Sequence, residues 1–264
     1  ASVLFKNLID NFGYSLTPNI GSNFTTMDEF NEESILEVGY SLEFKNELGP
    51  WDGRDVANAA YVRQFTGGDG KWFGAVVANW LILKYRNEPL DFSDPRNMVI
   101  DAEGNESFRK FSLRTSWSVA LVDDKEMGYY LRDETGQASN FNVRMTAFWR
   151  KHTNWDITRS EEELSPGKVR SGVNERLIRL AEIYLQYAEC QIKLGNIDQA
   201  LVYINKVRRR SGVQLLGLNG TGEFPTNDHD NKMYDEQTLM EHLMYTELPL
   251  ELSAEGDGNR NIDL

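Results

Sequence analysis

The chain has 264 residues, enough for one large domain or two, with ample length for a core. Its formal net charge of −13 excludes nucleic acid as a partner, because a phosphate backbone requires a basic face. A single cysteine, Cys190, excludes an internal disulfide, and no apolar run approaches the ~18 residues that a membrane-spanning helix requires.

Along the chain, Val3, Leu4, Leu8 and Ile9 predict a short amphipathic helix ending near Gly13. The stretch ESILEVGYSLEF (Glu33 to Phe44) has the β-branched, alternating character of a strand, exposed or at a sheet edge. From Asn46 to Gly74 the sequence is crowded with glycine and aromatic residues. That composition predicts a long irregular surface excursion of the kind that carries function more often than fold. VVANWLILKY (Val76 to Tyr85) reads as a buried helix or a buried strand, which periodicity cannot separate, and DFSDPRN breaks it. Residues Phe108 to Trp155 alternate weakly between turn signals, as short strands and loops do, and RSEEELSPGK reads as a solvated acidic loop.

The strongest pattern lies between Arg176 and Val213. Leu177, Ile178, Leu180, Ala181, Tyr184, Leu185, Ala188 and Ile192 recur at helical spacing, and Gly195 follows where a positive φ can end the helix. Asn196 is placed to cap a second helix, with Gln199 returning the hydrogen bond. Ala200, Leu201, Ile204 and Val207 form that helix's stripe, and Arg208, Arg209 and Arg210 suit the negative end of its macrodipole. The order A-x-x-x-x-x-L-G-x-x-x-x-A-L resembles one tetratricopeptide unit, which cannot bury its own apolar face. After the loop GLNGTGEFPTNDHDN, a last helix is expected from about Asp235 to Glu255.

NERLIRLAEIYLQYAEC, followed by LGNIDQALVYINKVRRRSGV, resembles the C-terminal signature helices of the SusD/RagB family of nutrient-binding outer-membrane lipoproteins. Arg179, Glu182, Tyr184, Tyr187, Glu189, Gly195, Asn205, Arg208 and Arg210 all fall on its pattern. Weaker landmarks follow the family's order: FGYSL, NEESILEV, GGDGKWFG, and ELSAEG with RNIDL. Departures are Cys190 in place of alanine, Glu247-Leu248-Pro249 where the family carries a Glu-Arg pair, and the lengthened spacing in EGDGNR. Proline inside a helix removes a hydrogen bond, so local distortion is expected there.

The resemblance implies a mainly α fold of tetratricopeptide-like helical hairpins joined to an irregular loop-rich region containing short strands. It implies a single domain over 1–264, loop-rich to 170 and helical from 171, forming the C-terminal portion of a longer protein. The implied activity is non-enzymatic: capture of oligosaccharides, or in some branches peptides, at the outer-membrane surface. Delivery would be to a SusC-like TonB-dependent transporter, with a lipid anchor on the preceding portion and no cofactor. Two other readings compete: a helical-repeat scaffold for a protein partner, without a small ligand, and a glycoside hydrolase with a repeat domain attached.

Sugar rings stack on flat aromatic faces, while acidic, amide and guanidinium groups bind their hydroxyls. Trp51 with Asp52 and Arg54, then Tyr61, Gln64 and Trp72, supply both within the excursion and are the candidate glycan-binding residues. The four glycines of GGDGKWFG hold Trp72 on a turn open to close approach. The bland alternative for Trp51 and Trp72 is a ring packed down on the fold. Trp80 and Trp149 are expected in the core, and Trp117 and Trp155 are open. Cys190 reads as a small core residue. His152, His229 and His242 share no metal-ligand spacing, and NDHDNKMYDE lacks the ligand alternation of a calcium loop.

Overall fold

In a computed structural model, residues 1–42, 75–138, 146–164 and 169–255 are described. The fold is mainly helical, with three two-stranded antiparallel ladders among the described residues. Its organising unit is the hairpin of α5 (Leu180–Lys193) and α6 (Ile197–Arg210). Gly195 turns it with φ +77°, a conformation that an L side chain rarely adopts. Ala181, Leu185, Ala188 and Ile192 of α5 meet Ala200, Ile204 and Val207 of α6, all buried. Tyr203 meets Tyr184 and Tyr187 edge to face, at centroid distances of 5.2 and 4.7 Å. Helix α1 (Ser2–Asn11) forms as expected and lays Phe5 and Ile9 onto this cluster, but Val3 and Leu4, two of the four residues that predict it, face solvent.

Two details of the hairpin differ from expectation. Leu177 and Ile178 are not helical. They belong to strand β6 (Glu175–Arg179), which pairs with β1 (Ser34–Val38) in the register Leu36↔Ile178, so a long-range ladder overrides local helical spacing. Asn196 makes no capping hydrogen bond. Its amide reaches back to Gln191 Oε1 at 2.9 Å, closing the turn instead. Cys190 is half-buried rather than in the core, because Ala188 and Ile192 take the inner face.

The ambiguous run after residue 75 becomes helix α2 (Asn79–Arg86). Leu81 and Tyr85, four apart, face a second core with Val119, Leu121, Trp149 and Leu250. Trp80 therefore points away. It is 54% exposed, in a row with Val76 and Leu83, against the expectation of a core residue. Beyond α2, β2 (Met98–Ile100) pairs with β3 (Glu106–Phe108), and α3 (Leu113–Ser118) leads into β4 (Val119–Leu121), which pairs with β5 (Ala147–Trp149). Trp149 is buried as expected, and Trp155 joins Tyr129, Tyr130 and Phe148 in a third, aromatic cluster. The acidic run is not a solvated loop throughout: Glu161, which opens the single turn α4 (Glu161–Leu164), is fully buried. Its carboxylate accepts from Tyr130 Oη at 2.8 Å and Asn154 Nδ2 at 2.6 Å.

The last helix is interrupted where proline predicts trouble. α7 (Glu236–His242) starts on an Asp235–Thr238 capping box and runs through a π turn at Leu243–Glu247 into α8 (Leu248–Leu252). Leu248 N–H donates to Leu243 O, five residues back, just ahead of Pro249, which has no N–H to give. Leu239, Leu243, Glu247 and Glu251 then all face inward.

Candidate functional site

The signature charges converge beneath the surface. Five carboxylates (Glu33, Glu88, Glu247, Glu251, Glu255) meet five cations (Arg114, Lys151, Arg179, Arg208, Arg210). Arg179 Nη1 lies 2.7 Å from both Glu33 and Glu251, and its Nε lies 2.5 Å from Glu255. Arg210 joins Glu33 at 2.8 Å and also pairs with Glu251. Arg208 meets Glu247 at 2.7 Å, and Arg114 meets it from the other side at 2.5 Å while also holding Glu88. Lys151 pairs with Glu255 and donates to the Glu251 and Ser253 carbonyls at 2.9 and 3.1 Å. Burial opposes ionisation of Glu251, but Arg210, Arg179 and Arg114 override it and hold the carboxyl down to about 2. Glu247 is likewise held well below the carboxylate range, by Arg114 and Arg208 against burial.

Arg208 and Arg210 are thus not explained by the end of α6. They are buried partners of Glu247, Glu33 and Glu251, and only Arg209 faces outward, over the Phe224 ring at 4.7 Å. Five cations matched to five carboxylates make this a buried clamp joining the chain entering β1, the chain leaving α2, α3, β6, α6 and the last helix.

Beside the clamp, Arg150 is buried against aromatic rings, 4.7 Å from Trp155 and 5.2 Å from Tyr129. Trp117 meets Trp155 edge to face at 5.7 Å and lies over Gly21, where an added Cβ would fall 1.9 Å from the ring. His152 is buried, its Nε2 2.8 Å from Ala254 O, and burial pushes its pKa down to about 4.

The candidate glycan-binding residues Trp51, Asp52, Arg54, Tyr61, Gln64 and Trp72 all lie outside the described residues. On the near side of that stretch, Asn174 accepts from Tyr40 N at 2.7 Å and donates to Glu37 at 2.8 Å, fixing the end of β1. On the far side, Val77 is buried in the α2 core. Among the described residues, Trp80, expected in the core, presents an exposed ring, and so does the pair Phe92–Phe108, 4.7 Å apart, which sequence reading did not single out. Phe92 carries a readable signal, an aromatic residue inside the breaker DFSDPRN.

A cleft of about 410 Å³ opens between the end of α2 and the π turn. Lys84, Asn87, Arg208, Tyr234, His242 and Thr246 line its walls. Among the described residues no group of three or more His, Cys, Asp or Glu is arranged to hold a metal. In the NDHDN loop, Asp230 instead accepts from Gly217 N at 3.0 Å and from Tyr234 Oη, while Asp228 accepts from Phe92 N at 2.8 Å.

Comparison with known proteins decides the family. The SusD family model matches residues 13–264. The chain belongs to the SusD family. SusD-like protein P25 of Formosa agariphila is 26% identical over 227 residues, covering 81% of this chain and 39% of that protein. A SusD superfamily protein of Bacteroides vulgatus superposes with a TM-score of 0.63 at 23% identity, over 95% of this chain and 45% of its own. A SusD-like carbohydrate-binding protein of Bacteroides fragilis gives 0.58 at 16% identity, over 99% and 47%. The chain thus spans less than half the length of these SusD relatives.

Proposed function

We propose that this SusD-family chain serves a glycan-binding protein of the outer-membrane surface, which captures oligosaccharides and passes them to a TonB-dependent transporter. The observation that carries this reading is the family match over residues 13–264. The carbohydrate-binding relative of Bacteroides fragilis, which shares the fold, supports a sugar ligand. The role is binding rather than catalysis, with Glu247 and Glu251 kept ionised by arginines as structural groups. Trp72, Trp51 and Tyr61 supply stacking surfaces, and Asp52, Arg54 and Gln64 bind hydroxyls. The exposed row Val76, Trp80 and Leu83 favours a protein partner on the helical side. The anchor is a lipid on a preceding segment of a single SusD-like domain.

The test is isothermal titration of the purified protein with a panel of neutral oligosaccharides, alongside an assay for released reducing ends. Saturable binding without release supports the proposal. Release abolished by one carboxylate substitution contradicts it, and transporter binding without any glycan binding leaves the scaffold reading in its place.

A further inference from the structure

We propose that the cleft between α2 and the π turn is a second ligand site, built for the acidic residue of a glycan, a pyranose carrying one carboxylate. Its volume of about 410 Å³ falls within the roughly 300–1,000 Å³ of small-molecule sites. Leu216 and Leu250 give it an apolar floor. The Tyr234 ring forms one wall, its hydroxyl held by Asp230 and its plane at 72° to the His242 ring. That arrangement offers the C–H face of a sugar a fixed surface.

The charges around the cleft are matched, with one exception. Arg208 gives its protons to Gln214 O and Glu247, Glu88 is held by Arg114, and Lys232 lies 4.0 Å from Asp230. Lys84 is half-buried, yet its ammonium meets only the hydroxyl of Thr246, in the π turn, at 3.1 Å. Among the described residues it is the half-buried lysine with no carboxylate within ion-pair distance. A partly desolvated ammonium gains from an anion brought beside it, and this local attraction works against the repulsion of a chain of net charge −13. Open hydrogen-bonding atoms lie around it. Asn87 spends its amide protons on Leu83 O, at 2.8 Å, and leaves Oδ1 free. His242 turns Nε2 toward Glu247, at 3.3 Å, and leaves Nδ1 for a hydroxyl. π turns recur at functional sites, and this one, which begins directly after His242, the last residue of α7, supplies Thr246.

The inference rests on the carbohydrate reading above for the class of ligand, but uses none of the residues proposed there. The test is isothermal titration of the full chain with D-glucuronate, D-glucose and acetate, for the wild type and for Lys84→Met, which keeps the apolar stem. Glucuronate should bind at least tenfold more tightly than glucose or acetate, and Lys84→Met should lose that preference at unchanged melting temperature. Should Lys84→Met fold poorly, Asn87→Ala on the exposed rim should weaken glucuronate several-fold. Equal binding of glucose and glucuronate, or of acetate and glucuronate, overturns the proposal, as does undiminished binding by both variants. If neutral oligosaccharides bind through Trp72 while glucuronate does not, the cleft proposal fails and the glycan reading stands. If no sugar binds at all, both fail.

Discussion

The Glu251 carboxylate lies 2.7 Å from Arg179, a residue of the strand that launches the hairpin, and the same oxygen is also held by Arg210 at the hairpin's far end. One side chain of the last helix therefore ties both ends of the α5–α6 unit. Replacing it takes a carboxylate from two buried guanidinium groups, which are left sharing Glu33, with Glu255 on Arg179 alone. Glu251→Gln should cost about 3–5 kcal/mol of folding stability, the usual effect of breaking a buried pair by removing one partner. Denaturant unfolding of wild type and variant measures this directly. A loss below ~1 kcal/mol would mean that the clamp is not structural.

The clamp also sets an acid limit. Glu251 is held to about 2 against an ordinary 4.5, so its contribution is full above pH 4.5 and is lost as pH falls toward 2. His152 acts at higher pH with the same sign. Burial keeps it neutral down to about 4, whereas the unfolded chain takes up a proton near 6.5. Its contribution is full above pH 6.5 and shrinks between 6.5 and 4, by at most about 3 kcal/mol. Melting temperature should therefore begin to fall below pH 6.5, before the carboxylates titrate. His152→Asn should flatten that first segment and leave the steeper acid limb.

Gly21 is required by its neighbour. A Cβ there would stand 1.9 Å from the Trp117 ring, too close for any small adjustment. Gly21→Ala should destabilise by about 1–3 kcal/mol through overpacking and alter the tryptophan fluorescence of the native state. An unchanged emission spectrum together with unchanged stability would contradict this packing.

Trp80 and Trp149 separate by burial. With more than half of its surface exposed, Trp80→Ala should change stability by less than ~0.5 kcal/mol, whereas Trp149→Ala should cost about 3–5 kcal/mol. Melting curves of the two variants make the comparison.

What was legible in the sequence follows the reach of each interaction. Helices α5 and α6, the Gly195 turn and the final helix could be read because their signals are local: helical spacing, a positive-φ glycine, a cap. Leu177 and Ile178 carry helical spacing but lie in a strand whose partner, around Leu36, is remote in the chain. The arginines ending α6 invited a local dipole explanation, but their carboxylates come from Glu33, Glu247 and Glu251, far away in sequence. Apolar content alone points Trp80 inward, while the inner face of the helix is taken by Leu81 and Tyr85. The aromatic excursion holding Trp51, Tyr61 and Trp72 was legible as composition, and its role is inferred from the family resemblance.

The most direct test of glycan capture is Trp72→Ala in the full-length protein, with oligosaccharide titration and thermal unfolding run on the same preparation. The account predicts a loss of on the order of 1–3 kcal/mol in glycan affinity, as for other aromatic anchors, with a melting temperature close to wild type. A drop of about 3–5 kcal/mol in stability would instead make Trp72 a core residue and contradict capture by this segment.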